Sequence, residues 1–305
     1  MKNNSKSNSV LCAGRLYCDL IFTDVPRMPT IGTETFAGSL ELHTGGGAFI
    51  TAATLAKLGL ETSLLSTLPA APFDKFTKDE VARNNIDVGL CASAAISSDP
   101  QITVAITGAN DRAFLSRKTG NAFPQITANE LEPFDHIHIG ELRTLEENPD
   151  IVSKARDAGL TISLDCGWDD ELMSNAQGLA DLISKADVFL PNEMEFEQLQ
   201  KLGISTNTAP LTIVKCGANG SIAHSEQGKI QVPTTSVEVI DATGAGDAFN
   251  GGFISKWLTG SPLNQCLQMG NKCGALAVQG SGGTASLNIL SHSSKENFAS
   301  KNVAG

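Results

Sequence analysis

The sequence predicts an α/β fold: a doubly wound, mostly parallel sheet sandwiched by helices, with a small β lid. Three observations carry this. Short β-branched runs alternate with helical patterns along most of the chain, and two stretches, 15–43 and 96–118, break that alternation with consecutive strands. The 305 residues, 41% hydrophobic and 18% charged, hold enough apolar material for a large core.

Taken in order, residues 10–14 read as a strand, 47–58 as a helix and 62–66 as a strand. Further strands at 136–139, 161–165, 187–190 and 211–216 imply a parallel sheet with crossover helices. One helix is well marked, with Asn148 as N-cap, Pro149 at the first helical position and Gly159 as the stop. A strand-like run at 236–240 leads into a helix reaching about residue 258. In the second irregular stretch, strands 101–107 and 112–116 flank the turn Gly108-Ala109-Asn110-Asp111. The two stretches read as a separate lid sheet or as edge strands of the main sheet. The predicted division is a core of 1–14, 44–95 and 119–290, a lid of 15–43 and 96–118, and a frayed tail at 291–305.

With 22 basic against 33 acidic residues, the net charge is −11. That argues against duplex nucleic acid or an anionic membrane as partner. A nucleotide stays open, because local backbone dipoles and a metal can hold a small anion. The seven cysteines are odd in number and scattered, so they read as buried thiols in a reducing compartment. A polar N-terminus and no long apolar run complete the expectation of a cytoplasmic protein.

The chemistry concentrates in Asp241-Ala242-Thr243-Gly244-Ala245-Gly246-Asp247-Ala248-Phe249. Its glycines allow a sharp turn that leaves the first helical N–H groups facing outward, where they bind anions. Asp247 falls in the first turn, where a general base could take a hydroxyl proton as the oxygen attacks phosphorus. A carboxylate there also stabilises the helix dipole, and this stretch alone leaves both roles open. As a dinucleotide fingerprint it fails, with Phe249 in place of the third glycine. The chain also lacks a phosphate loop ending in Gly-Lys-Ser/Thr.

This segment resembles the C-terminal signature of the ribokinase (PfkB) family of sugar and nucleoside kinases. The resemblance extends over about 10–290. Asn192-Glu193-Met194-Glu195 is similar to the family's Asn-x-x-Glu element, residues 212–220 to its nucleotide-side strand and turn, and 271–283 to the helix and loop beside the adenine. Gly45-Gly46-Gly47 with the following helix resembles the N-terminal signature, and residues 14–19 the first substrate loop.

The resemblance implies a ribokinase-like fold and transfer of the γ-phosphoryl of ATP to an alcohol. Asp247 would be the base, with Gly244, Ala245 and Gly246 in the anion hole. Asn192 and Glu195 would help hold Mg2+, through water, and the phosphates; taken without the signature, the same pair reads as a helix capping box. Lys215, Gly217, Gly220, Thr243 and Asn271 would lie along the nucleotide, with Lys215 otherwise a solvated strand-end charge. Asp241 and Thr243 match the positions of a K+ site. Asp165 would reach the magnesium region or serve as a turn residue.

On the acceptor side the resemblance assigns Asp19, Gly45 and Gly46 to the sugar. Ile50 stands where the family usually has a sugar-binding Asn, and Tyr17 where ribokinase has an amide, which disfavours ribose. Tyr17 would stack on a base or pack against the lid. Arg112 and Arg117 flank Phe114, and Glu141 and Arg143 follow strand 136–139; any of them could touch the acceptor, an Arg favouring an acidic or phosphorylated one. His136 and His138 share a strand face without a third metal ligand, so they read as ordinary strand residues. The expected function is an ATP-dependent sugar or sugar-acid kinase. The alternatives are a nucleoside kinase or a catalytically silent nucleotide- or sugar-binding regulator. Phe36, Leu40, Leu42 and Ile102 would cover the acceptor or pair two lids into a homodimer.

Overall fold

The strand Ser9–Ala13 sits in the interior of the main sheet, which is why all of Val10, Leu11, Cys12 and Ala13 are buried. Val10 and Cys12 face one core, with Phe49, Phe253 and Leu267, while Leu11 and Ala13 face another, with Leu142, Ile151 and Leu179. A strand apolar on both faces is the pattern a parallel sheet between two helical layers requires. The computed structural model describes residues 8–107, 112–175 and 177–290. The turn at 108–111 and the tail at 291–305 lie outside them.

The eight-stranded sheet runs, edge to edge, Gly228–Val232, Ser221–Ser225, Leu211–Lys215, Val188–Leu190, Thr161–Asp165, His136–Ile139, Ser9–Ala13 and Glu61–Leu65. Pairing is parallel except for the hairpin edge, where Leu211 faces Ser225 and Ser221 faces Val232. Helices Gly47–Lys57, Ala245–Trp257 and Leu263–Ala277 pack on one face. Because the strands are parallel, their carboxyl ends line up along one rim, which gathers Asp165 and Lys215.

A second, four-stranded sheet has the order Ser39–Gly45, Tyr17–Thr23, Ile102–Thr107, Arg112–Arg117. Its two antiparallel pairs are joined by parallel pairing of Tyr17–Thr23 with Ile102–Thr107, so these are not edge strands of the main sheet. Buried Arg15 anchors its base: one terminal nitrogen donates to Gln101 Oε1 (2.8 Å) and the Thr119 carbonyl (3.1 Å). The other donates to the Gly120 carbonyl (2.8 Å) and pairs with Glu147.

Two local expectations are corrected. The marked helix spans Asp150–Asp157 with Pro149 at the cap position, and Asn148 instead closes the preceding helix Leu142–Glu147, its Nδ2 donating to the Thr144 carbonyl. Residues 236–240 form no strand: Pro233 interrupts the chain after the edge strand, no strand runs alongside, and the Ile240 N–H donates to the Val278 carbonyl. The hairpin Ser221–Ser225 and Gly228–Val232 was not anticipated.

Candidate active site

Asp247 lies where two helices begin. It falls in the first turn of Ala245–Trp257, and its Oδ1 presses on Gly47, the first residue of Gly47–Lys57, where a Cβ would come within 2.6 Å. Neither helix start has a side-chain cap. Gly244 turns the chain at φ +73°, and a Cβ there would meet Ile50 Cδ1 at 2.6 Å. The N–H groups of Gly246 and Asp247 have no partner among the described residues, while Thr51 Oγ1 donates to the Asp247 carbonyl (3.0 Å) and fixes the turn. Two unfilled helix N-termini and a carboxyl therefore meet at one point, which favours an incoming anion.

Burial pushes the Asp247 carboxyl up to about 8, reinforced by nearby Asp165 and opposed by Lys215. Asp165, at the carboxyl end of its strand, accepts from Lys215 Nζ (2.8 Å), Asn250 Nδ2 (2.6 Å) and the Cys166 N–H (2.8 Å). Lys215 also donates to Asn250 Oδ1 (3.2 Å), and its ammonium lies 3.3 Å from where a Gly246 Cβ would stand, beneath the anion hole. Burial works against that ammonium, and Asp165, Glu195 and Asp247 outweigh it, so its pKa rises. Lys215 is thus no solvated strand-end charge, and Asp165 is no turn residue. Asn250 escaped the sequence reading; the available signal was its spacing of three from Asp247 on one helix, which puts both on one face.

Asn192 and Glu195 form a reciprocal capping box: Asn192 Oδ1 accepts the Glu195 N–H (2.9 Å) and Glu195 Oε2 accepts the Asn192 N–H (2.8 Å). Burial raises Glu195 to about 7, with Asp165 adding to it. Both side chains offer hard oxygen donors of the kind Mg2+ takes alongside water, so the donor set fits that ion.

Beside Gly246 lies a cleft of about 320 Å³ lined by Lys215, Gly217, Gly220, Val237, Phe249 and Asn271, among others. Gly220 turns at φ +87°, where a Cβ would strike the Val232 carbonyl at 2.1 Å. Asn271 Nδ2 donates to the Val232 and Pro233 carbonyls (3.0 and 3.2 Å), so its amide holds the cleft wall in place. Asp241 Oδ1 accepts from the Thr243 N–H and hydroxyl (2.8 and 2.7 Å), and its Oδ2 accepts from the Gly282 N–H (3.0 Å).

On the opposite side, the Asp19 carboxyl lies over Gly45, where a Cβ would come within 2.0 Å of it, and burial raises it to about 7. Tyr17 is half-buried across from Gly45, its hydroxyl pushed well up by burial and by nearby Glu141. Gly46, at φ +107°, would place a Cβ 2.2 Å from the Arg15 carbonyl. The backbone of Arg112 pairs with Thr107, four positions along its strand from Ser116, which is level with Thr103 and Asp19, so about 13 Å of strand separates it from that register. Arg143 is held by Asp169 (2.6 Å) and Glu171 (2.8 Å), and Arg117 by Asp99 (2.5 Å). Ile50 is buried behind Gly244 and Gly283, filling space where an amide was expected. His136 and His138 are buried on Ser163 (2.8 and 2.9 Å), and no metal-binding cluster of three His, Cys, Asp or Glu occurs among the described residues.

Residues 7–290 match the model of the pfkB family carbohydrate kinase. The chain belongs to the pfkB family. It is accordingly a phosphotransferase with a hydroxyl acceptor. It is 28% identical over 282 residues to the ATP-dependent ribose-1-phosphate kinase of Halopiger xanaduensis, covering 88% of this chain and 91% of that one. The pfkB fold is shared with Methanocaldococcus jannaschii nucleoside kinase, at TM-score 0.78 and 22% identity over 95% of this chain and 98% of that one. It is shared also with Xylella fastidiosa fructokinase with bound ATP, at TM-score 0.75 and 19% identity over 94% and 99%. Among the described residues no helix is long and apolar enough to cross a membrane.

Proposed function

We propose that this chain transfers the γ-phosphoryl group of ATP to a hydroxyl of a small carbohydrate, sugar acid or nucleoside, with Asp247 as general base. The observation that carries this reading is the position of Asp247, between the nucleotide cleft and the Asp19 side, beside free helix N–H groups. A raised carboxyl is matched to accepting a hydroxyl proton near neutral pH. The Gly246 and Asp247 amides and the Lys215 ammonium face the charge that develops on the transferring phosphoryl. Asp165 and Asn250 hold that ammonium in place. Asn192 and Glu195 would hold Mg2+ through water; bound there, the ion supplies neutralisation of phosphate charge. For K+ at Asp241 and Thr243 the support is the resemblance alone, since in the structure these residues bond to each other and to Gly282.

The four-stranded sheet is read as the lid that excludes water from transfer. On one of its faces Phe22, Leu40, Leu42, Val104 and Leu115 stand in register, and Leu40, Leu42 and Leu115 are exposed, a surface suited to a second copy of the chain. Seven free cysteines suit a reducing cytoplasm. The test is Mg2+- and ATP-dependent ADP release across hexoses, pentoses, sugar acids and nucleosides, with Asp247→Asn in parallel. Acceptor-dependent release, lost in the variant, is expected; release by the variant at the parent rate would overturn the role of Asp247.

A further inference from the structure

The chain passes between the main sheet and the four-stranded sheet at residues 14–16, at Gly46, at 94–101 and again after Arg117. Buried Arg15 touches all four crossings. It lies on the first, and its carbonyl closes on the second, where a Cβ on Gly46 would stand 2.2 Å away. Its guanidinium donates to Gln101 Oε1 (2.8 Å) on the third and to the Thr119 and Gly120 carbonyls (3.1 and 2.8 Å) on the fourth. The remaining terminal N–H goes to Glu147, the last residue of helix Leu142–Glu147, whose Leu142 and Leu145 are buried in the core of the main sheet. Nε has Glu141 Oε1 at 3.9 Å, beyond hydrogen-bonding distance. Gln101 passes the constraint on: its Nε2 donates to the Leu16 carbonyl (3.3 Å), and its own carbonyl accepts from the Cys18 N–H (3.1 Å).

A guanidinium is planar and rigid, so four acceptors in fixed directions define the angle between the segments that carry them, and not only their separation. Small changes in that angle are magnified along the strand. Asp19 stands four residues from Arg15, about 13 Å of extended chain, so a tilt of about 10° at Arg15 carries it about 2 Å. That displacement exceeds the range over which a hydrogen bond holds. The cleft beside Gly246 is placed differently, because none of its described lining residues belongs to the four-stranded sheet.

We propose that Arg15 is a positioning residue for phosphoryl transfer: it sets the angle of the four-stranded sheet over the main sheet, and with it the placement of Asp19 relative to Asp247. The proposal rests on the phosphotransfer reading, which makes Asp19 an acceptor contact. Positive charge alone does not supply this function. A lysine at the same place would still pair with Glu147, but its three donors leave a single nitrogen and cannot span acceptors on three separate segments. Replacing Arg15 by Lys therefore separates the angle from the buried charge, and its effect falls on the acceptor and not on the nucleotide.

The experiment compares Arg15→Lys with the parent in steady-state kinetics and in spin-label distances between cysteines added at the exposed positions Ser39 and Glu61, one on each sheet. The native cysteines are buried or half-buried, so the added ones take the label. In Arg15→Lys the acceptor KM is expected to rise about ten-fold or more, the size of one lost hydrogen bond to a charged group, with the ATP KM within about two-fold of the parent. Ser39 pairs with Thr23, eight residues from Arg15, so the same tilt of about 10° should shift or broaden the label distance by about 4 Å. A lower melting temperature with acceptor KM and distance both at parental values is what a merely structural role gives, and overturns the proposal, as does an unchanged value of either one. Should Arg15→Lys fail to fold, Gln101→Leu removes one acceptor and is expected to move both readouts the same way, the KM by about three-fold. If the parent releases no ADP with any acceptor, the phosphotransfer reading falls and the distances decide alone: a shift or broadening sustains Arg15 as the residue that sets the sheet angle, and an unchanged distribution overturns it.

Discussion

Replacing Asp247 by Asn should remove activity and add stability. The ordinary carboxyl loses its proton near 3.8, whereas in the folded protein burial and Asp165 hold that of Asp247 to about 8. Between those values the folded state carries the extra proton, so this group's contribution to stability falls as pH rises and is smallest above about 8. At 1.36 kcal/mol per pKa unit the upper bound is about 6 kcal/mol. Asp165, Lys215 and Glu195 share that cost, so relieving one carboxyl should return about 1–3 kcal/mol at alkaline pH. Asn keeps the volume, remains neutral and can donate to Asp165. Loss of general-base catalysis should meanwhile lower turnover by about 10²- to 10⁴-fold, or roughly 3–5 kcal/mol in the barrier. Urea unfolding above and below neutrality, beside ADP release, measures both. A variant that keeps turnover, or that is less stable than the parent at alkaline pH, would refute the assignment.

Three further outcomes are expected. Gly46→Ala forces a Cβ onto the Arg15 carbonyl at φ +107° and should cost about 2–3 kcal/mol, read as a lower melting temperature; an unchanged one would show that the turn can relax. Lys215→Met leaves Asp165 buried without its cation and should cost about 3–5 kcal/mol in urea unfolding, most of it recovered by adding Asp165→Asn. Additive losses in the double variant would mean that the two do not act as a pair. Because burial raises Asp19 to about 7, its carboxylate gains acceptor strength as pH rises through that value, so the acceptor KM should fall. Asp19→Asn should flatten the profile, and a flat profile in the parent would count against the contact.

Much of the sheet was legible because its strands are short apolar runs buried on both faces: His136–Ile139 and Thr161–Asp165 lie where the sequence places them. Local signals failed where two elements compete for the same residues, as when Asn148 closes one helix while Pro149 opens the next. They failed too where pairing is non-local: 236–240 alternates like a strand but finds no partner strand. Around Asp247 the loop glycines announce themselves, whereas the contacts of Asp165 with Lys215 and Asn250, 50 and 85 positions away, depend on strand order and helix docking. Ile50 was read as a lost sugar ligand because spacing conveys alignment and not direction; in the fold it packs behind Gly244.

The order of the main sheet has a consequence for how the protein is made. From His136–Ile139 onward each strand lies beside the one before it in the chain, through Thr161–Asp165, Val188–Leu190 and Leu211–Lys215 to the final hairpin. Once Ser9–Ala13 has met His136–Ile139, the rest of the sheet can grow by accretion as the polypeptide leaves the ribosome, with no later strand waiting for a distant partner. The exception is the helix carrying Asp247, which returns across 196 positions so that the Asp247 carbonyl accepts from the Thr51 hydroxyl. Both helix starts that frame the anion hole come together only at that step. A truncated or nascent chain thus has Asp19 and the four-stranded sheet without Asp247, whose surroundings assemble last.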